Sequence, residues 1–382
     1  MEYMRKQAAA AITAPNKNVL VSGASFAGLA TAYWMNERGY NVTVVEVSKG
    51  LKKGGTPVNI GADVMDIVKR MGLSERIQAN CLNMQGMEFK NADDVTEGEL
   101  LRDPNAGAPG DDWEIERDTL LDMMFDCVKD DVEFIFDNTI EALAETADDV
   151  GISFRDGSQR SFALVFGCDG NHSRVRKLQF GDEARYAHFL GQYFSITIVD
   201  KLLIKENTTQ MYNVPGKGVM LNAYNGKTDI VLCFTSATEI PYSYRDEQQQ
   251  RDIIFSQFAG QGWRVPELLE EVGNSPTFYF DKVCQIKMPS WTKGRVALVG
   301  DAAYCASPAA GMGGSLAIIG ANALADAFAK HHGNFELAFQ DYNDTFRPFI
   351  EQVQADAVNN LDMLIPQTEE AIRERNKQPN PW

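Results

Sequence analysis

Closely spaced cysteines are missing from this chain. Its six, at positions 81, 127, 168, 233, 284 and 305, never come closer than 21 residues. Neither a disulfide framework nor a C-x-x-C zinc site has its spacing, so no metal is expected and a reducing cytoplasm fits. Long runs of lysine and arginine are missing too, and the net charge is -17. A phosphate-backbone partner needs a basic stripe, which excludes nucleic acid. No apolar run approaches the roughly 20 residues of a membrane-crossing helix. The opening MEYMRKQAAAAITA lacks the apolar core of a secretory signal, so these fourteen residues are expected to be a frayed extension. Only four histidines are present, at 172, 188, 331 and 332. None has an acidic or nucleophilic partner at a readable sequence spacing, and neither G-x-S-x-G nor a Ser-His-Asp order is found, so no side chain is assigned as a catalytic acid, base or nucleophile.

What is present points to two domains. The chain has 382 residues, 44% of them hydrophobic, enough for a large core and too many for one ordinary compact unit. Residues 18 to 46, NVLVSGASFAGLATAYWMNERGYNVTVVE, divide into an apolar strand, a tight glycine turn, a helix closed by Gly39 and a second β-branched strand, which is a βαβ unit. Residues 59 to 80 and Trp113 to Lys129 read as helical, with an acidic, Gly/Pro-bearing loop or hairpin between them at 91 to 112. Residues 131 to 169 alternate apolar and polar around an Asp156-Gly157-Ser158 turn and read as a β-meander. From 185 to 282 aromatic-rich strand candidates dominate, with one helix near 246 to 259, which predicts an antiparallel sheet. The final segment, 335 to 376, is amphipathic and helical, with Pro348 and Pro366 as expected breaks or starts.

The fold class expected is therefore α/β: a Rossmann-like nucleotide-binding domain, a second antiparallel-sheet substrate domain and a C-terminal helical segment. The boundaries are 16–90, 113–184 and 283–334 for the discontinuous first domain, 91–112 and 185–282 for the second, and 335–382 for the bridging helices.

The turn Gly23-Ala24-Ser25-Phe26-Ala27-Gly28 matches G-x-G-x-x-G with serine in place of the middle glycine. In that pattern the glycines make the turn, admit a pyrophosphate and let helix and strand pack closely, while the helix N-terminus supplies amides to the phosphates. Glu46 follows Gly28 by 18 residues at the tip of the second strand, where a carboxylate accepts hydrogen bonds from adenosine ribose hydroxyls. An acid there disfavours a ribose 2′-phosphate, so the resident dinucleotide is expected to be FAD or NAD. Residues 294 to 314, GRVALVGDAAYCASPAAGMGG, bring a second strand to an acid. Gly300-Asp301 ends the apolar run at the carboxyl edge of the sheet, and Gly311, Met312, Gly313 and Gly314 lead into a helix beginning near Ser315, whose free amides suit a developing anion.

Together these motifs resemble the single-component FAD-dependent aromatic hydroxylases, the group that includes para-hydroxybenzoate hydroxylase. The dinucleotide turn, Asp169-Gly170 in CDGNHSRVRK with Ser173 and Arg176, Gly300-Asp301, and Arg117 in WEIERDTLLDMM stand in the family's order. The stretch FYFDKVCQIKMPSWTKGRVALVGDAAYCASP is similar to the tetracycline-inactivating monooxygenases of that family. The resemblance implies FAD as cofactor, with NADPH or NADH as a transient reductant and dioxygen as oxidant. It implies that Glu46 holds the ribose, Arg117 the ribityl and pyrophosphate region and Asp301 a ribityl hydroxyl, while Asp169 supports flavin and passing reductant. Pro308 and Gly311 to Gly314 would flank the isoalloxazine, and Gly54, Gly55, Thr56, Pro57, Val58 and Asn59 would cover its other side. The chain departs from the family where a histidine often follows D-A-A and a G-Q-G-x-N turn follows later; here Tyr304 and G-M-G-G-S stand.

The function expected is hydroxylation of an aromatic, phenolic or enolic (polyketide-like) small molecule, with tetracycline-like polycyclic phenols as the leading substrate, by a monomer or weak dimer. Met211, Tyr212, Met220, Phe234, Phe278 and Phe280 lie on second-domain strands as candidate pocket residues or sheet core. The alternatives are an isoprenoid-chain reductase on a similar FAD domain and a non-catalytic flavoprotein that sequesters a drug. A flavin halogenase is removed by the lack of W-x-W-x-I-P.

Overall fold

The computed structural model describes residues 16–101 and 112–378. The expected N-terminal extension lies outside the described residues. The first domain is built on a six-stranded sheet in the order Thr292–Lys293, Val296–Leu298, Leu164–Gly167, Asn18–Ser22 (β1), Asn41–Val45 (β2), Glu133–Ile135. All pairings are parallel except that of Thr292–Lys293. The central strands are buried on both faces, which is why they read as near-continuous Val/Leu/Phe runs. The helix Phe26–Glu37 (α1) crosses from β1 to β2 and ends at Gly39, whose φ of +76° closes it as the sequence predicts. The meander forms a separate three-stranded sheet of Ile140–Glu145, Val150–Phe154 and Gln159–Phe162.

The second sheet has seven strands, in the order Phe278–Ile286, Ala187–Val199, Lys227–Thr235, Lys217–Tyr224, Thr208–Val214, Gly86–Lys90, Thr96–Leu101. Its pairings are antiparallel apart from the parallel one between Thr208–Val214 and Gly86–Lys90. Because side chains alternate, the sheet has two unlike faces. One face carries Tyr193, Tyr212, Leu221, Leu232, Phe234 and Phe280 onto the helices Glu247–Phe258 and Val265–Asn274 through Ile254, Phe258 and Leu268. The opposite face carries Phe194 and Val283 toward Leu361 of the long helix Phe335–Leu364 and toward Ala309 of the first domain.

Three local readings are corrected by the structure. Asp112–Ile115 is a strand paired with Val58–Gly61, and the helix starts only at Arg117; the strand's partner lies more than 50 residues upstream, so local periodicity did not reveal it. Val265–Asn274, with Pro266 in its first turn, is a helix that the strand-rich reading of this block did not anticipate. Pro348 breaks nothing: Phe335–Leu364 runs through it. Pro348 and Asp344, whose carbonyl loses its helical donor, are both exposed, so water replaces the missing bond while Phe346 and Ile350 stay packed beneath.

The helix Gly313–Lys330 meets α1 and the long helix over a cluster of buried rings. Tyr304, in the place where the family often has histidine, points into this cluster and away from the strand ends. Its hydroxyl meets that of Tyr342 at 3.1 Å, and Tyr342 donates to the Leu298 carbonyl at 3.2 Å. The room for it comes from Gly320, where an added Cβ would sit 1.7 Å from the Tyr304 hydroxyl oxygen. Gly320→Ala is expected to destabilise by about 1–3 kcal/mol through overpacking. Adding Tyr304→Phe to that variant should cost less than the sum of the two single changes, measured as a double-mutant cycle of urea unfolding.

Candidate active site

The turn after β1 is built around backbone contacts that admit no side chain. Gly23 has φ +105°, donates its amide to the Val45 carbonyl at 2.8 Å, and would drive a Cβ to 2.4 Å from the Cys168 carbonyl oxygen. A Cβ on Gly28 would lie 1.9 Å from the Gly23 carbonyl oxygen. The N-terminus of α1 is thereby pressed against the sheet edge. Its N-cap residue, Ser25, makes no side-chain cap, so the first-turn amides keep their partial positive charge for a ligand.

The other motif residues gather around that helix start. Glu46 accepts the Ala24 amide at 2.8 Å with one carboxylate oxygen and the Ser48 amide at 2.9 Å with the other, which leaves lone pairs on both for hydroxyl donors. The serine that replaces the middle glycine has its own use: the Arg117 guanidinium donates to Ser25 Oγ at 3.2 Å and to the Lys52 carbonyl at 3.2 Å while stacking over Phe26 at 5.2 Å. Burial lowers the Arg117 pKa, with Asp118 opposing the shift. Gly55, at φ +123°, lets Arg117 pass; a Cβ there would be 2.7 Å from Arg117 Cδ. Gly300 packs on Ala27, Gly314 on Phe26 and Val58, and Ser315 Oγ donates to the Asn59 carbonyl at 2.6 Å. The loop of residues 54–59 thus meets the glycine loop where Val58 lies by Gly314 and Asn59 accepts from Ser315; a Cβ added at Gly311 or Gly313 would meet no neighbouring side chain within 4 Å.

Asp301 opens the short helix Asp301–Tyr304 next to Gly300 and is only partly exposed. Burial pushes its carboxyl up to about 6, Asp281 adds to the rise, and the Cys305 thiol and Arg176 work against it. Asp169 adjoins Gly23, yet its carboxylate is turned inward. It accepts from the Ser173 hydroxyl and from the amides of Arg174 (2.8 Å) and Val175 (3.0 Å). These three donors tie Asp169 to the start of the following helix and fix its loop beside Gly23.

The pocket candidates divide between the two faces of the sheet. Met211, Met220, Val231, Ile196 and Tyr279 are successive partners across five strands and form one row on the side facing the first domain. Phe234, Phe278 and Phe280, with Tyr212, lie on the other side against the helices and are sheet core, a correction set by the two-residue alternation. Sequence reasoning also missed a polar cluster at the domain boundary. His172 sits 3.1 Å from Glu183 and 3.2 Å from Asp281, although neither acid is near it in a recognisable motif. Among the described residues there is no group of three or more side chains suited to a metal, and no helix long and apolar enough to cross a membrane.

A glycine cradle, a carboxylate with free lone pairs at the strand tip and an uncapped helix start fit a dinucleotide such as FAD, and comparison with known proteins decides the family. The pattern described as "FAD binding domain" matches residues 16–357. The chain belongs to the FAD binding domain family of flavin-dependent monooxygenases. A flavin-dependent monooxygenase of Legionella longbeachae is 31% identical over 344 residues, covering 89% of this chain and 87% of that one. An uncharacterised protein of Mycobacterium tuberculosis is 36% identical over 347 residues, covering 88% and 92%. The crystal structure of tetracycline destructase Tet(51) superposes with a TM-score of 0.85 at 33% identity, covering 95% of each chain. These findings replace the reductase and drug-sequestering alternatives: this monooxygenase binds FAD.

Proposed function

We propose that this monooxygenase uses NADPH or NADH and dioxygen to hydroxylate a planar phenolic or enolic small molecule, with a tetracycline-like polyketide as the leading substrate. The observation that supports the reading is the apolar cluster of Phe194, Val283 and Leu361 with Ile196, Cys233 and Ala309, which joins the second sheet to the long helix and to the Pro308–Ala310 turn before the glycine loop. Likeness to the tetracycline destructases supports the substrate class.

Bound FAD, reduced by the nicotinamide, supplies the electrons that divide dioxygen between one substrate oxygen and one water. The chain supplies binding and electrostatics. Glu46 takes the ribose hydroxyls, the first-turn amides of α1 and Arg117 take the pyrophosphate and ribityl region, and Asp301 takes a ribityl hydroxyl. The Gly313–Lys330 helix also lacks a side-chain cap, and its first amides stabilise negative charge on the ring. Phe194, Ile196 and Leu361 keep water from the reacting centre.

Purified protein with NADPH and oxygen is expected to bleach tetracycline's absorbance and yield a product heavier by one oxygen. Unchanged tetracycline would remove that substrate. NADPH oxidation unaffected by every member of a phenol and polyketide panel would remove the hydroxylase reading.

A further inference from the structure

Tyr279 is an unusual member of its sheet. It is 41% exposed, yet burial, with Asp281 and Asp301 adding to it, pushes its phenol well above the ordinary tyrosine range. Its neighbours place it where the second sheet meets the first domain. Lys52, at the loop that meets Arg117, stands 5.9 Å over its ring, Phe194 packs at 5.6 Å, and Asp301 is near enough to act on its charge. Tyr279 also ends the row of Ile196, Val231, Met220 and Met211.

Its hydroxyl is held. Tyr279 donates to Asp281 Oδ2 at 3.0 Å, and Asp281 also accepts from the Tyr242 hydroxyl (2.6 Å), Asn171 Nδ2 (3.2 Å) and the Lys282 amide (2.8 Å). Asn171 and His172 belong to the first domain and Asp281 to the second sheet, so the carboxylate is gripped across the boundary. On the far side of the imidazole, Glu183 holds Nδ1 and is itself paired with Arg176 at 2.9 Å, and Tyr244 stacks on the ring at 5.0 Å with Arg245 beyond. Lys282 is drawn off by Glu239. Burial opposes the His172 charge, but the bonds to Asp281 and Glu183 outweigh it and raise its pKa to about 9. Burial likewise works against the Asp281 charge, and His172, Tyr242 and Asn171 hold its pKa below the usual carboxylate range. The bridge is therefore a cation between two anions at neutral pH.

We propose that Tyr279 is a second-domain residue that meets the bound flavin and substrate, and that Asp281, clamped across the boundary by His172, is its positioning residue. This rests on the FAD-monooxygenase reading above. Because the Tyr279 hydroxyl donates to Asp281, its oxygen keeps its lone pairs as an acceptor, suited to a ligand hydroxyl donor. The sign of the pH dependence follows. His172 is raised from 6.5 to about 9, so the bridge contributes in full below 6.5 and is lost as pH rises through about 9.

The test uses the FAD-loaded protein and the absorbance and fluorescence of its bound flavin from about pH 6 to about pH 10.5, a range that brackets the bridge's transition near 9. Wild type is expected to show a spectral step near 9 that is lost in His172→Gln, Asp281→Asn and Tyr279→Phe. Tyr279→Phe keeps the ring and removes only the anchoring hydroxyl, so it reports even if the other variants fold poorly. A bound-flavin spectrum and pH dependence identical in wild type and Tyr279→Phe would overturn the proposal. Loss of the step in the His172 and Asp281 variants alone would overturn the role of Tyr279. A colourless wild type would take away the FAD reading and this inference together.

Discussion

Gly28→Ala is expected to cut FAD retention at least about tenfold and to lower stability. The added methyl carbon would lie 1.9 Å from the Gly23 carbonyl oxygen, well inside any contact distance. That oxygen cannot retreat, because Gly23 is itself tied to Val45 and pressed against Cys168. Relief requires α1 to lift from the sheet edge. The lift carries its first-turn amides away from the pyrophosphate and breaks the contacts of Ala27 with Gly300 and of Phe26 with Gly314. Overpacking of a rigid site costs about 1–3 kcal/mol or more, and each ~1.4 kcal/mol is tenfold in affinity. Flavin released on denaturation should fall at least about tenfold per mole of protein. A variant that purifies with wild-type flavin content would show that the turn is not the phosphate cradle.

Arg176→Met is expected to be the costliest polar change. The side chain has no exposed surface. It donates to the Ala302 carbonyl at 2.9 Å, to the Asn171 carbonyl and to Glu183 at 2.9 Å. Removing it leaves the buried Ala302 carbonyl and the partly buried Asn171 carbonyl without their donor, and Glu183 with only His172. Breaking a buried pair in this way costs about 3–5 kcal/mol. The damage reaches the site by two routes, since Ala302 follows Asp301 and Glu183 braces His172. Arg176→Lys keeps the charge but loses the planar fork, and should recover only part of the loss. The midpoint of denaturant unfolding measures both. A midpoint within error of wild type for Arg176→Met would contradict the account of this residue as the brace between the two loops.

The parts of the site that could be read from the sequence are those whose chemistry is local. The glycine turn, Glu46 and Gly300-Asp301 are each held by backbone geometry within a few residues of a strand end, so their spacing announces them. Arg117 was legible only through resemblance, and the reason Ser25 is tolerated, as an acceptor for Arg117, depends on a partner 92 residues away. The His172–Asp281 bridge was invisible for the same reason, its partners being joined by the return of the chain through a second sheet. Phe234 and Phe280 show a different limit. Aromatic content marked their strands correctly, but which face looks toward the first domain is decided by register, and one step of register exchanges core for cleft. Pro348 shows that exposure, set by tertiary packing, decides whether a proline ends a helix.

FAD in the cleft around α1 is tested most directly by purifying the protein, denaturing it and identifying and counting the flavin released. FAD is expected, close to one per chain after gentle reconstitution. A protein that stays colourless and takes up no added FAD would contradict it.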